Sequence, residues 1–354
     1  MNPMKPESHA VLDILPDPLI LISSNRRVTY ANPAAIVLFG NIVLDTDLAL
    51  TLRHPQVLDT VEAARTINQP QSGEFTLSGA VVRVFDFHAA PVAPEAKDAR
   101  PPGVLLTLHE KTALVRSEQM RADFVANASH ELRSPLSAIL GFIETLQGPA
   151  KDDVEARQRF LGIMHREAGR MNRLIDDLLS LSKVELDEHV RPLGKVILTR
   201  KLKIVADLLS SRAEQKQISI KLHDVDFVPE ITGDADQLFQ AFRNLIENAI
   251  NYSPAGSVVD VRIDPHSSLP GSRDSAIAVH ISDQGKGIPK QHLPRLTERF
   301  YRVDSARRKS GDDGPVSTGL GLAIVKHIVN RHRGQLKIES EIGVGSTFSV
   351  ILPR

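Results

Sequence analysis

The chain has 354 residues, 42% of them hydrophobic, which is enough apolar material for two or three domains with their own cores and excludes a disordered tail. Lys plus Arg and Asp plus Glu both total 43, so no net charge draws the chain to nucleic acid or anionic lipid, and direct DNA binding is not expected. The absence of cysteine removes disulfides, thiolate metal sites and a cysteine nucleophile, and suits a reducing cytoplasm.

No window reaches the roughly 18 consecutive apolar residues that a membrane-crossing helix needs. Even Val11 to Ile22 is interrupted by Asp13, Pro16, Asp17 and Pro18. Neither a signal peptide nor a membrane anchor is expected within the chain; an anchor preceding Met1 would not be visible in it.

Residues 10–110 alternate short β-like runs with turns and short helical pieces. Leu19 to Ile22 and Arg27 to Tyr30 flank Ser23-Ser24-Asn25-Arg26 and predict a hairpin. Further strands are expected at Gly73 to Leu77, Val81 to Ala89 and Gly103 to Leu108, with helices around Ala34 to Phe39 and Val57 to Ile67. The Pro- and Ala-rich Pro91 to Pro102 is expected to be a loop, which gives a small α+β module.

From Leu114 the pattern turns helical, with a seam at Phe124, Ala128, Leu132, Pro135, Ile139, Ile143 and Leu146 in steps of three and four. Gly148 and Pro149 break it, and Asp152 and Asp153 suit the opening of a second helix. That helix repeats the spacing at Phe160, Met164, Met171, Leu174, Leu178 and Leu181, widened by Leu161, Ala168 and Ile175. Two such helices cannot cover their apolar faces alone, so pairing with a second copy into a four-helix bundle, and hence a homodimer, is expected. A coiled-coil spacer would show the same stripes.

Residues 195–354 mix helices with strands at Val258 to Ile263, Ala276 to Ser282, Gln335 to Ser340 and Ser346 to Ile351, a two-layer α/β pattern with a mixed sheet and helices on one face. Asn244 and Asn248 lie four apart in the helical run Ala235 to Asn251. Magnesium takes few protein oxygens and keeps water or phosphate, so an amide oxygen suits it; the pair could equally solvate a helix. Asp283-Gln284-Gly285-Lys286-Gly287 follows a β run, where the glycines let backbone approach a flat ligand and the carboxylate can accept from an exocyclic amine, or where the segment is a plain turn. Gly319-Leu320-Gly321 precedes the helical Ala323 to Asn330, whose free N–H groups favour phosphate. Between them, Glu298 to Arg302 leads into polar Ser305 to Thr318, which fits a lid or a long solvated loop.

In this order the four pieces resemble the ATP-binding domain of the sensor histidine kinases, with an N box at Asn244 to Asn248, a G1 box at Asp283 to Gly287, an F box at Glu298 to Tyr301 and a G2 box at Gly319 to Gly321. The resemblance implies ATP and Mg2+ as cofactors. It assigns Asn248 to the metal, Asn244 to phosphate contacts, Asp283 to the adenine amine, Gly285 and Gly287 to the purine pocket, Gly319 and Gly321 to the phosphates, and Thr347 to the adenine side. Lys326 reads as a solvated helical lysine, and Gln284 stands where the family usually has Asn.

Phe124 to Leu136 is similar to the phosphoacceptor box of the same family. His130 lies two residues from Ala128 and Leu132, off the apolar seam, where a neutral imidazole can face an incoming nucleotide. Glu131 is expected to hold the other ring nitrogen and accept its proton, Pro135 to bend the helix just beyond by removing one helical N–H, and Ser134 to stand where the family orients water for phosphatase activity. Leu15 to Pro18, Ala31 to Ala35 and the last strand into Thr112 resemble a PAS sensory domain. His54 and His88 raise haem, but nothing singles out a ligand. Gly141 to Leu146 and Arg170 to Ser182 look like the phosphate-regulon branch of these kinases.

The expected architecture is therefore multidomain α+β: a PAS-like α/β module (8–112), a helical hairpin that dimerises into a four-helix bundle (113–190) and a C-terminal α/β-sandwich ATP-binding domain (191–354). The expected activity is autophosphorylation of His130 and transfer to a response-regulator aspartate. A non-catalytic signalling scaffold and an ATP-driven conformational clamp are the rival readings.

Overall fold

The computed structural model describes residues 6–40, 42, 44–79, 81–92, 103–188, 190–223, 225, 227–269, 275–303 and 318–354. It divides into two compact units, Met1–Val125 and Ala126–Arg354. Among the described residues no helix is long and apolar enough to cross a membrane.

The first unit opens with helix α1 (Pro6–Asp13), the hairpin β1 (Leu19–Ile22) and β2 (Val28–Ala31), and helices α2 (Pro33–Phe39), α3 (Leu48–Thr51) and α4 (Pro55–Ile67). Strands β3 (Gln71–Leu77), β4 (Arg83–Val92) and β5 (Gly103–Glu110) complete an antiparallel sheet in the order β2-β1-β5-β4-β3. Alternate residues of the strands, among them Ile20, Phe75, Phe85, Phe87, Leu106 and Leu108, bury one sheet face under Val57, Val61 and Ala64 of α4.

Asn32 organises the entry to this module. It is fully buried and caps α2 by accepting from Ala35 N at 3.0 Å. Its Oδ1 also accepts from Leu19 N at 2.9 Å, while its Nδ2 donates to the Asp17 carbonyl at 2.9 Å. One side chain thereby ties the start of β1 to the start of α2.

The expected loop from Pro91 begins too early, because Pro91 and Val92 continue β4 opposite Val104 and Gly103. The partner β3 ends its pairing at Ala89, so Pro91 sits where β4 is an edge and a missing N–H breaks no ladder. Residues 93–102 lie outside the described set. After β5 the chain enters helix α5 (Thr112–Gln147) through a fixed joint: Lys111 Nζ meets Glu74 Oε2 at 2.5 Å and Asp86 Oδ1 at 2.8 Å. Lys111 N donates to the Val84 carbonyl and the Thr112 hydroxyl accepts from Val84 N, both anchoring the joint to β4.

Helix α5 runs through Pro135 without ending. The Gln147–Asp153 connection reverses the chain, and α6 (Val154–Leu186) is capped by Asp153, whose side chain accepts from Ala156 N at 2.9 Å. The stripe expected on α5 is its least exposed face, with Pro135 buried and Ala128, Leu132, Ile139, Ile143 and Leu146 half-buried.

Beyond the hairpin come β6 (Lys195–Val196), α7 (Leu198–Gln215), β7 (Ser219–Leu222), β8 (Ile231–Thr232), α8 (Ala235–Tyr252), β9 (Val258–Ser268) and β10 (Ser275–Asp283). A 3-10 turn (Lys290–Arg295), α9 (Gly321–Arg331), β11 (Gln335–Glu341) and β12 (Gly345–Pro353) finish the chain. The main sheet has the order β11-β12-β10-β9-β7, antiparallel except for the parallel β7–β9 pair, so it is mixed as expected. The amphipathic helices α7, α8 and α9 supply its second layer, burying Leu202, Phe242, Leu245 and Ile324. His332 closes α9 against α8: its Nδ1 donates to the Ile328 carbonyl at 2.7 Å and its Nε2 accepts from Asp234 N at 2.9 Å.

Candidate active site

On α5, His130 and Ser134 are both exposed, four residues apart on one helix face. Glu131 turns toward the other helix, where Arg170 Nη2 stands 2.9 Å from its Oε2. Arg170 is largely buried, with a side chain 16% exposed, and also faces Glu167. The sequence reading missed Arg170; only the antiparallel pairing of the two helices brings it to position 131.

The second constellation forms where α8, the end of β10 and the start of α9 meet. The α8 helix starts cleanly because Asp234 accepts from Asp236 N at 3.0 Å and Gln237 N at 3.2 Å. Its apolar stripe turns inward and carries Asn244 with it, buried, so that Asn244 Nδ2 donates to the Gly321 carbonyl at 3.3 Å. Asn248 follows one turn later and is half-buried.

Asp283 ends β10 and is only 9% exposed. Its Oδ1 accepts from Gly285 N at 2.8 Å and Ser346 N at 3.3 Å. Burial pushes the carboxyl above the ordinary aspartate range, and these hydrogen bonds oppose that shift. Gln284 has a structural task of its own, since its Oε1 accepts from Val258 N at 2.9 Å and pins the start of β9.

Two glycines are required by close approach. Gly287 has φ +70°, and a Cβ there would lie 2.0 Å from the Glu341 carbonyl oxygen. Gly319 has φ +74°, a Cβ there would lie 2.8 Å from the Phe300 backbone, and its carbonyl accepts from Phe300 N at 2.9 Å. The Phe300 turn and the Gly319 turn are thus one packed unit, with Gly321 opening α9 behind it and Gly285 buried beside Asp283. Lys326 is exposed on α9. Of Ser305 to Thr318, only Thr318 lies within the described residues.

Thr347 is not where the adenine-side expectation placed it. Its hydroxyl pairs with Ser282 at 2.9 Å, while the residue opposite Asp283 is Ser346, 6% exposed. Neighbours on a strand face opposite ways, so Thr347 and Asp283 cannot share a face in this register. Alternation counted back from buried Phe348 signals the same offset.

Three family models match the chain in order: a PAS domain over residues 8–70, a "His Kinase A (phospho-acceptor) domain" over 120–187, and a "Histidine kinase-, DNA gyrase B-, and HSP90-like ATPase" over 233–354. The chain belongs to the sensor histidine kinases. The phosphate regulon sensor protein PhoR of Pseudomonas aeruginosa is 39% identical to this histidine kinase over 248 residues, 69% of the chain and 53% of the relative. The sensor histidine kinase WalK of Bacillus subtilis is 36% identical over 253 residues, 71% of the chain and 39% of the relative. The chain therefore spans about half, or less, of the length of these relatives. Its fold matches a solved complex of the histidine kinase ThkA with the response regulator protein TrrA, with a TM-score of 0.50, 21% identity and 97% of both chains covered.

Proposed function

We propose that this chain is an ATP-dependent protein-histidine kinase that phosphorylates His130 and passes the phosphoryl group to an aspartate of a response regulator. The observation that carries this reading is an exposed imidazole at position 130 in the same compact unit as the buried Asp283 and the Gly319–Gly321 helix start.

In this reading the purine lies against Gly285 and Gly287 with its amine on Asp283, and Ser346 is the neighbour on that side. The N–H groups at the start of α9 receive the phosphates. Asn248, half-buried beside Asn244, fits a Mg2+ ligand with an amide oxygen. The bound ion would supply charge neutralisation on the polyphosphate. A neutral His130 nitrogen attacks the γ-phosphorus, the bond to the β,γ-bridging oxygen breaks as ADP leaves, and Glu131 takes the proton from the other ring nitrogen. Ser134, exposed one turn after His130, can orient a water for the reverse task of removing phosphate from the regulator.

A homodimer is part of the proposal. Leu161, Ala168 and Ile175 all remain exposed along α6, an apolar strip that a second hairpin would cover in a four-helix bundle. The PhoR similarity supports a role in phosphate-starvation signalling. The requirement for ATP and a regulator supports a cytoplasmic working unit, with the PAS module as its input domain. No direct nucleic-acid contact is part of this function.

Incubation with γ-labelled ATP tests the reading. Acid-labile, base-stable label that His130→Gln abolishes is the expected result. ATP hydrolysis without labelling would favour a conformational clamp, and neither binding nor labelling would favour a scaffold.

A further inference from the structure

The later part of α6 and the residues just beyond its end carry acidic groups, and they dock onto the ATP-binding half of the same unit. Glu185 Oε1 lies 2.7 Å from Arg299 Nη2, and Glu188 Oε2 lies 2.9 Å from His327 Nδ1. One of these acids differs from the others in what it touches. Thr318 Oγ1 donates to Asp177 Oδ2 at 2.7 Å and in turn accepts from Leu320 N at 3.4 Å. The Asp177 carboxylate is therefore linked, through one hydroxyl, to an amide at the opening of α9.

We propose that Asp177 is an autoinhibitory gate that competes with the nucleotide polyphosphate for the Thr318–Gly321 turn. The inference rests on the reading of that turn as the phosphate end of the ATP site.

The charges argue for competition. A helix start stabilises negative charge, and here a carboxylate of the hairpin occupies that neighbourhood. Arg243 of α8 lowers the energy of the charged carboxylate, whereas Glu247, next to Asn248, and Asp176 raise it. Burial, the largest influence, holds the Asp177 carboxyl above the usual aspartate range, and the Thr318 hydrogen bond opposes that shift by favouring the charged form. Several phosphate charges entering at the same turn repel a half-buried carboxylate on it, and the screening that weakens such repulsion in water is reduced there. ATP entry and release of α6 from the turn are then coupled, each favouring the other.

The test compares nucleotide affinities of the full chain by calorimetry with Mg2+ and either the non-hydrolysable analogue AMP-PNP or adenosine, which lacks phosphates. Asp177→Asn keeps the side-chain shape and removes the charge. It is expected to bind AMP-PNP about tenfold more tightly while adenosine affinity changes less than about twofold. Glu185→Gln breaks another contact of the same interface and is expected to leave the ratio of the two affinities unchanged. Asp177→Ser gives the same expected change in ratio if the Asn variant does not fold. An unchanged AMP-PNP affinity, an equal gain for both ligands, or the same change of ratio in Glu185→Gln overturns the gate. Failure of the wild-type chain to bind AMP-PNP instead overturns the nucleotide reading on which it rests.

Discussion

Arg170 of one helix grips Glu131 of the other, with Nη2 and Oε2 2.9 Å apart, so the carboxylate beside the exposed His130 is held from across the hairpin. Loss of a general base costs about 10²–10⁴ in rate. Glu131→Gln is expected to lower initial autophosphorylation by that order. Arg170→Ala is expected to cost about tenfold through misorientation. Arg170→Lys should recover only part of it, because an ammonium lacks the planar fork. Equal rates for wild type and Glu131→Gln would remove Glu131 from the chemistry.

Asp283→Asn is expected to weaken ATP binding. An amide in that place can turn an N–H toward the adenine amine or toward Gly285 N and Ser346 N, and all three sites need an acceptor. A hydrogen bond to a charged group is worth about 1.5–3 kcal/mol, which corresponds to roughly a 10- to 150-fold rise in Kd. Fluorescent-nucleotide titration measures it.

His332 makes the ATP-binding half sensitive to acid. Both ring nitrogens are committed, one as donor and one as acceptor, and burial depresses its pKa below the ordinary histidine value. The unfolded chain takes a proton near pH 6.5 while the folded one resists. Its stability contribution is therefore complete above about pH 6.5 and is lost as the pH falls toward the lower folded value. Urea midpoints measured from pH 8 to pH 5 should decline over that interval, and His332→Gln should flatten the decline.

Asn32→Ala removes the α2 cap and leaves the amides of Leu19 and Ala35 without their side-chain acceptor. A lost cap costs about 1 kcal/mol and a buried unsatisfied group about 1–3 kcal/mol. A loss of about 2–4 kcal/mol is expected. Hydrogen exchange at the Leu19 and Ala35 amides should accelerate well ahead of exchange at Phe242.

Much of this was legible in the chain because it rests on local periodicity. The seam from Ala128 to Leu146 follows from helical spacing, and the four strands from Val258 onward follow from alternation. The boxes around Asn244, Asp283 and Gly319 are short and contiguous, so their residues travel together. What escaped depends on pairing between distant segments. The hold of Arg170 on Glu131 needs the helix register, and the offset between Thr347 and Ser346 needs the β10–β12 register. Pro91 within β4 was missed for a similar reason, since only the short reach of β3 makes that position an edge.

The joint at Lys111 has a mechanical consequence. A connector that is salt-bridged to β3 and β4 and hydrogen-bonded to Val84 is held at several points against swivelling. A shift of those strands is therefore expected to reach the first turn of α5, as a push on a rod rather than slack in a tether.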